Sequence, residues 1–94
     1  MEIIKQNENF NLVDTTEKYD TNGNVSREAS GALNIHFTVM GKDGERVGDC
    51  HYNRYGDEGA VNFGVSCVED VREELTTYSD SVIDSVLEYF KVNN

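Results

Sequence analysis

The chain contains no proline and no tryptophan, and only two of its 94 residues are cysteines. Two cysteines are too few for a disulfide scaffold, and without proline the turns depend on glycine and asparagine. The sequence also lacks the apolar run of about 18 residues that a transmembrane helix requires, and residues 1–10 lack the apolar stretch of a signal peptide. We therefore expect one cytoplasmic domain that spans residues 1–94.

Basic residues are scarce in this strongly acidic chain. Eight lysines and arginines stand against 18 aspartates and glutamates, so that the net charge is −10. Binding to nucleic acid or to an anionic membrane depends on clustered basic side chains, and here they are scattered along the sequence. We therefore predict neither direct nucleic-acid binding nor membrane binding. The expected partner is a protein with a basic surface, whose attraction weakens as salt screens the charges.

Alternation of apolar and polar residues predicts four β-strands in the first two-thirds of the chain. The strongest alternation covers residues 33–40, and residues 61–67 repeat it. A weaker alternation covers residues 47–53, and a further strand begins at Phe10 and Leu12. Because short segments separate these strands, we expect an antiparallel meander with the strand order 1-2-3-4.

Three glycine-containing segments predict the turns of this meander: Asn22-Gly23, residues 41–44 and residues 56–59. Glycine and asparagine tolerate the positive φ angles of tight hairpins, and a two-residue turn at Lys42-Asp43 completes the second one. These turns place the apolar residues of all four strands on one face. The expected cross-strand partners are Leu12 with Leu33, Ile35 with Cys50, Tyr52 with Phe63, Cys50 with Val65, and Gly48 with Cys67.

From Val68 onward the apolar spacing becomes that of one long amphipathic helix, over about residues 68–91. Ser66 and Glu69 form an expected capping box, and a break near Ser79 is the alternative because residues 76–79 are poor helix formers. The expected buried arc comprises Val68, Val71, Leu75, Tyr78, Val82, Val86, Tyr89 and Phe90. We therefore predict an α+β fold, in which a four-stranded antiparallel β-meander over about residues 8–68 is packed on one face by this C-terminal helix.

The two histidines are the residues that most suggest catalysis, and both fall on the sheet face away from the expected core. The predicted register sets His36 opposite Asp49 and His51 opposite Asn34. A His–Asp pair can orient a general base, but no nucleophile with an activating partner accompanies it. We therefore predict that the protein is not an enzyme, and an enzyme that uses His36, Asp49 and His51 is the least favoured alternative.

No segment carries a convincing metal or phosphate motif. The residues from Asp20 to Asn24 resemble the opening of a calcium loop, but Val25 replaces the required glycine. Gly31 also stands where the loop needs a bidentate glutamate. The glycines form neither of the usual phosphate-binding patterns. We therefore predict no metal and no cofactor.

Acidic residues concentrate on the predicted helix, since residues 69–94 carry seven acids and two bases. A regular row of carboxylates can occupy a groove built for a nucleic-acid backbone, as DNA-mimic proteins do. Small acidic phage and mobile-element proteins, including some anti-CRISPR inhibitors, are similar in composition. We therefore predict a non-enzymatic interaction or regulatory domain, in its sharper form an inhibitor of a nucleic-acid-binding protein. The candidate partner-binding residues on the helix are Glu69, Glu73, Asp80, Asp84 and Glu88.

The uncovered face of the sheet is a second candidate partner-binding surface. Its amide and imidazole groups can both donate and accept hydrogen bonds, which suits specific recognition. The candidate residues are Asn34, His36, Asp49, His51, Asn53 and Asn62. A structural or assembly protein that self-associates through its sheet is therefore the main alternative function, and both a monomer and a homodimer remain open.

Overall fold

The computed structural model describes residues 7–55 and 59–92. It is an antiparallel sheet of five strands in the order β1-β2-β3-β4-β5, followed by a C-terminal helix. The strands are β1 (Glu8–Thr15), β2 (Tyr19–Arg27), β3 (Leu33–Gly41), β4 (Arg46–Arg54) and β5 (Val61–Cys67). A single 3₁₀ turn (Glu69–Val71) leads into the helix α1 (Arg72–Val92). The α+β class and the antiparallel meander are confirmed, but the prediction of four strands is wrong.

The additional strand arises because the predicted turn at Asn22-Gly23 lies in the middle of β2. The chain turns earlier, at Thr16, whose hydroxyl accepts a hydrogen bond from the backbone N–H of Tyr19 at 2.9 Å. A threonine hydroxyl can close such a turn without glycine or asparagine. Phe10 therefore pairs with Val25 and Leu12 with Gly23, so the predicted pairing of Leu12 with Leu33 is wrong.

A second unpredicted turn connects β2 to β3 and contains Gly31, whose φ is 95°. The backbone N–H of Glu28 donates to the carbonyl of Ala32 at 2.8 Å and closes this loop. Gly23 has a different function within β2, because a Cβ at that position would lie 2.1 Å from the backbone oxygen of His36 and 2.5 Å from the Cβ of Phe37. Gly23 is therefore explained by the close approach of Phe37 and not by a turn.

The second hairpin forms at the predicted place with a different register. The backbone N–H of Gly41 donates to the carbonyl of Glu45 at 2.8 Å and encloses three residues, 42–44, instead of two. Gly44 among them adopts a φ of 85°, a common hairpin geometry. The register also shifts between Val39 and Met40. Ile35 consequently pairs with Tyr52, and not with Cys50 as predicted. Relative to the predicted register, β4 is displaced by two residues along β3. Because this displacement is an even number of residues, the apolar side chains stay on the predicted face.

The third hairpin has the predicted register. Tyr52 pairs with Phe63, Cys50 with Val65 and Gly48 with Cys67. Both cysteines are free, and Cys50 is buried. The predicted turn at residues 56–59 lies, apart from Gly59, outside the described residues.

The hydrophobic core lies between the inner face of the sheet and α1. Phe37 and Val39 at the centre of β3 are completely buried, as is Leu75 of the helix. The core comprises Tyr19, Val25, Leu33, Ile35, Phe37, Val39, Cys50, Tyr52, Leu75, Val82, Ile83 and Val86. Apolar side chains from β2, β3, β4 and α1 thus form one continuous cluster.

The helix is continuous from Arg72 to Val92, so no break occurs near Ser79. The capping box is wrong, because Val68 is the cap residue and no side chain bonds to the first turn. The buried arc is also rotated relative to the prediction. Val68, which was expected to be buried, is 66% exposed, whereas Ile83 is 2% exposed.

The helix crosses the sheet from β4 to β1 instead of lying along one strand. Near its start, a methyl group of Leu75 lies 2.6 Å from where a Cβ at Gly48 would stand. Near its end, the ring of Phe90 contacts the ring of Phe10 with centroids 5.2 Å apart. Because one helix cannot cover five strands, parts of the inner sheet face remain uncovered at both edges.

Candidate functional site

The acidic face of α1 is exposed along the whole helix. Glu69, Glu73, Asp80, Asp84 and Glu88, the residues expected there, are all exposed. Within the part of the chain that the structure describes, none of these five carboxylates forms an ion pair with a basic side chain. The sequence has no lysine or arginine between Arg72 and Lys91. Their negative charge is therefore available to a partner.

Glu74 differs from these residues because it has a basic neighbour. Lys18, in the turn between β1 and β2, donates to its carboxylate at 2.5 Å. The hydrogen bond to Lys18 lowers the pKa of Glu74 below its usual value. This ion pair joins the first hairpin to the beginning of α1 and takes Glu74 out of the free acidic row.

The predicted polar residues of the sheet do share the outer face, opposite α1. Asn34 pairs with Asn53, and Asn53 pairs with Asn62 on the next strand. The side-chain amide of Asn53 donates to the amide oxygen of Asn34 at 2.7 Å. The structure adds Asn22, which the sequence analysis placed in a turn, and Asn24 to this face. The outer face thus carries an array of amides, together with the two histidines and with Asp49.

The histidines are arranged differently from the prediction. His36 lies opposite His51, and not opposite Asp49, because the second hairpin has the longer loop and the register shift. Asp49 pairs with Thr38, whose hydroxyl donates to its carboxylate at 2.7 Å, and Asp49 also forms an ion pair with Arg46. The sheet therefore does not assemble the His–Asp pair on which the enzyme alternative depended.

A groove between β1 and α1 is the feature that the sequence analysis missed. It has a volume of about 600 Å³. Its apolar walls are formed by Phe10 and Leu12 of β1 and by Val82 and Val86 of α1, together with Phe90. A local sequence signal exists in the small residues Ser81 and Ser85, one helical turn apart, which line its helical side. The groove itself depends on the angle at which the helix crosses the sheet.

One end of this groove is closed by a hydrogen-bond network around Tyr78. The Tyr78 hydroxyl donates to the carboxylate of Asp14 at 2.6 Å and lies 2.6 Å from the hydroxyl of Thr21. Burial, together with the bond to Asp14, raises the pKa of Tyr78 to about 12. Tyr78 is therefore a neutral donor near neutral pH and ties α1 to the first two strands.

The acidic face of α1 and the groove are adjacent. Ser81 and Ser85 line the groove and also border a shallow depression formed with Asp80, Asp84 and Glu88. A molecule that enters the groove therefore lies beside unpaired carboxylates. The outer sheet face is on the opposite side of the domain, so the two predicted surfaces are separate.

No metal centre or membrane segment emerges from the described residues. Over residues 7–55 and 59–92, no three His, Cys, Asp or Glu side chains gather closely enough to hold a metal ion. In the same ranges no helix combines the length and apolarity needed to span a bilayer. Comparison of the chain with protein-family models, with curated proteins and with solved structures found no match.

Proposed function

We propose that this chain is a non-enzymatic interaction domain that binds a basic protein surface through the acidic face of α1. The observation that carries the proposal is the exposed row of Asp80, Asp84 and Glu88, which has no basic side chain paired with it in the part of the chain that the structure describes. A surface of this kind attracts cationic partners and repels anionic ones.

The spacing of the carboxylates favours a groove-shaped basic partner. Residues four apart on a helix lie about 6 Å apart along its axis, so Asp80, Asp84 and Glu88 present charge at regular intervals on a narrow rod. A cleft that normally holds a nucleic-acid strand is lined with basic residues. The sharper form of the proposal is therefore an inhibitor that occupies such a cleft on a nucleic-acid-binding protein.

Charge reversal on the helix tests the proposal. The triple variant Asp80→Lys, Asp84→Lys and Glu88→Lys changes the net charge from −10 to −4, because each reversal adds two charges. The unmodified chain is used as bait in host lysate at low and at moderate salt. We expect a partner that is captured more strongly at low salt and that the triple variant no longer retains.

A second triple variant controls for overall charge. Glu17→Lys, Glu28→Lys and Glu45→Lys, at exposed positions outside α1, also give a net charge of −4. This variant should retain the partner at the level of the unmodified chain. Equal retention by the helix variant would contradict the role of the acidic face, and capture of no partner at either salt concentration would contradict the interaction function.

Self-association through the sheet is the second candidate function. What favours it is the amide array of the outer face, where Asn53 already bonds across strands to Asn34, and such amides can also pair between molecules. Sedimentation equilibrium over a range of concentrations tests this candidate. A strict monomer of 10.6 kDa would remove it, whereas a dimer that Asn53→Lys abolishes would support it.

A further inference from the structure

We propose that the groove between β1 and α1 binds an extended basic segment of the partner, which adds to the sheet as a strand beside β1. This inference rests on the proposed function and specifies how the partner engages the domain. Binding by strand addition needs a free strand edge and adjoining pockets for alternate side chains. The chain provides both at the same place.

The free edge is β1. Glu8–Thr15 is the first strand of the sheet and pairs only with β2 among the described residues. Natural sheets protect exposed edges with charged side chains, especially lysine, with proline or with a β-bulge. β1 contains no lysine and no proline, and its register with β2 is uninterrupted. Its charged side chains, Glu8 and Asp14, are both acidic and so leave the edge open to a basic strand, and none of the described residues pairs with its outer edge.

The adjoining pocket is the groove. A strand added to β1 would lie about 4.8 Å from it, with alternate side chains directed to opposite faces. Those directed inward would enter the space between Phe10 and Leu12 on one side and Val82 and Val86 on the other. Because this space is apolar and open, aliphatic groups of the added strand would lose contact with water there.

Charge specifies which side chains enter the groove. Asp84 and Glu88 lie beside its helical margin, next to Ser85. Lysine and arginine can bury their aliphatic stems while their charged heads remain at a polar margin. The side chains of the added strand that enter the groove should therefore combine an aliphatic residue with lysine or arginine. Such a combination matches both the apolar walls and the acidic margin. Outward residues would lie beside Asn9 and Asn11 and need only be polar.

A second copy of this chain is a poorer occupant of the same edge. Two β1 strands can pair antiparallel about Asn11, and this pairing keeps the apolar residues on one face. Glu8 of each copy then lies opposite Asp14 of the other copy. Like charges directly opposite each other destabilise a sheet. The acidic margins on both helices would add to this repulsion, so the geometry favours a basic partner.

The probe is the peptide Thr-Arg-Thr-Leu-Thr-Arg-Thr-amide with tetramethylrhodamine on its N-terminal amine, and its two arginines and its leucine are the side chains intended to enter the groove. Binding is measured by fluorescence anisotropy. Two further peptides carry backbone N-methyl groups, one at every threonine and the other at the arginines and leucine. Alternate residues of a strand direct their N–H groups to opposite edges. Strand addition therefore predicts that one methylated peptide loses binding at least about tenfold and the other retains it.

Two tryptophan variants test the groove. Ser85 lines it, and its hydroxyl donates to the carbonyl of Ser81. Thr77 lies outside it on the same helix and makes the equivalent bond to the carbonyl of Glu73. Ser85→Trp should fill the groove and weaken peptide binding at least about tenfold, whereas Thr77→Trp should change it less than about twofold. Circular dichroism confirms that both variants are folded.

The outcomes separate this inference from the proposed function. Failure of the probe to bind at millimolar concentration, equal effects of the two methylation patterns, or unchanged binding by Ser85→Trp would each overturn strand addition. A partner captured in lysate that is lost with the helix charge reversal but retained by Ser85→Trp would leave the proposed function intact and still overturn the groove. A dimer of the free chain that Ser85→Trp dissociates would assign the edge to a second copy.

Discussion

Removal of one hydroxyl, in Tyr78→Phe, tests whether α1 is joined to β1 as the fold requires. The hydroxyl bonds to the carboxylate of Asp14 at 2.6 Å, in a half-buried position. A hydrogen bond to a charged group contributes about 1.5–3 kcal/mol. We therefore expect Tyr78→Phe to lower the free energy of unfolding by about 1.5–3 kcal/mol at neutral pH, with the lower part of the range favoured because Asp14 can recover water.

Urea unfolding followed by circular dichroism measures this loss, since the chain has no tryptophan to report by fluorescence. Tyr55→Phe is the matched control, because the side chain of Tyr55 is 60% exposed. A surface change of that kind should alter stability by less than about 0.5 kcal/mol. Equal effects of the two variants would refute the hydrogen bond between Tyr78 and Asp14.

The same network predicts a dependence on alkaline pH. The pKa of Tyr78 is raised to about 12 in the folded chain, against about 10 for an unperturbed tyrosine. Between these values the folded state holds the proton more tightly than the unfolded state, so this contribution to stability is complete below pH 10 and decreases as the pH rises towards 12. In Tyr78→Phe the free energy of unfolding should decline less steeply with rising pH. The titration of tyrosinate absorbance should lose the component near pH 12 that belongs to Tyr78.

Two further predictions concern the interior. Leu75→Ala should lower the free energy of unfolding by about 2–5 kcal/mol in urea, because it opens a cavity in the core over Gly48; a loss no larger than that of the exposed Thr77→Ala would contradict this packing. Burial raises the pKa of the Cys50 thiol from 9.0 to about 11. The contribution of the protonated thiol to the free energy of unfolding is therefore complete below pH 9 and should decrease towards pH 11. Cys50→Ala should remove this decrease. An unchanged pH profile in Cys50→Ala would show that the thiol is not buried in this way.

The sequence predicts those parts of the fold that depend on local patterns. Strict alternation locates β3 and β5, and the register between β4 and β5 follows from keeping Tyr52 and Phe63 on one face. The helical period likewise identifies Asp80, Asp84 and Glu88 as exposed. In each case the side chain's face depends on its own position in a repeating element, and no distant contact is needed to determine it.

The errors occur where a tertiary contact overrides a local preference. Asn22-Gly23 is a strong hairpin signal, yet Gly23 lies in a strand because Phe37 needs the space above it. The turn at Thr16 depends on a side-chain hydroxyl that many exposed threonines could offer. The groove is harder still to predict, since no residue pattern specifies the angle between α1 and the sheet.

The two uncovered ends of the inner sheet face differ in charge, and under the proposed strand addition this difference favours β1 as the edge for a basic partner. At the β5 edge, Val61 and Phe63 are 55% and 37% exposed, and the nearest charged partner across the strand pair is Arg54, opposite Val61. At the β1 edge the groove lies beside Asp84 and Glu88. The β1 edge also has an arginine, Arg27, but its charge is paired with Glu8 of β1. Apolar surface alone would make the edges equivalent, but a cationic segment is repelled by Arg54 at β5 and attracted by the carboxylates at β1. Selection of β1 should therefore weaken as salt screens these charges, while any purely apolar association at β5 should persist.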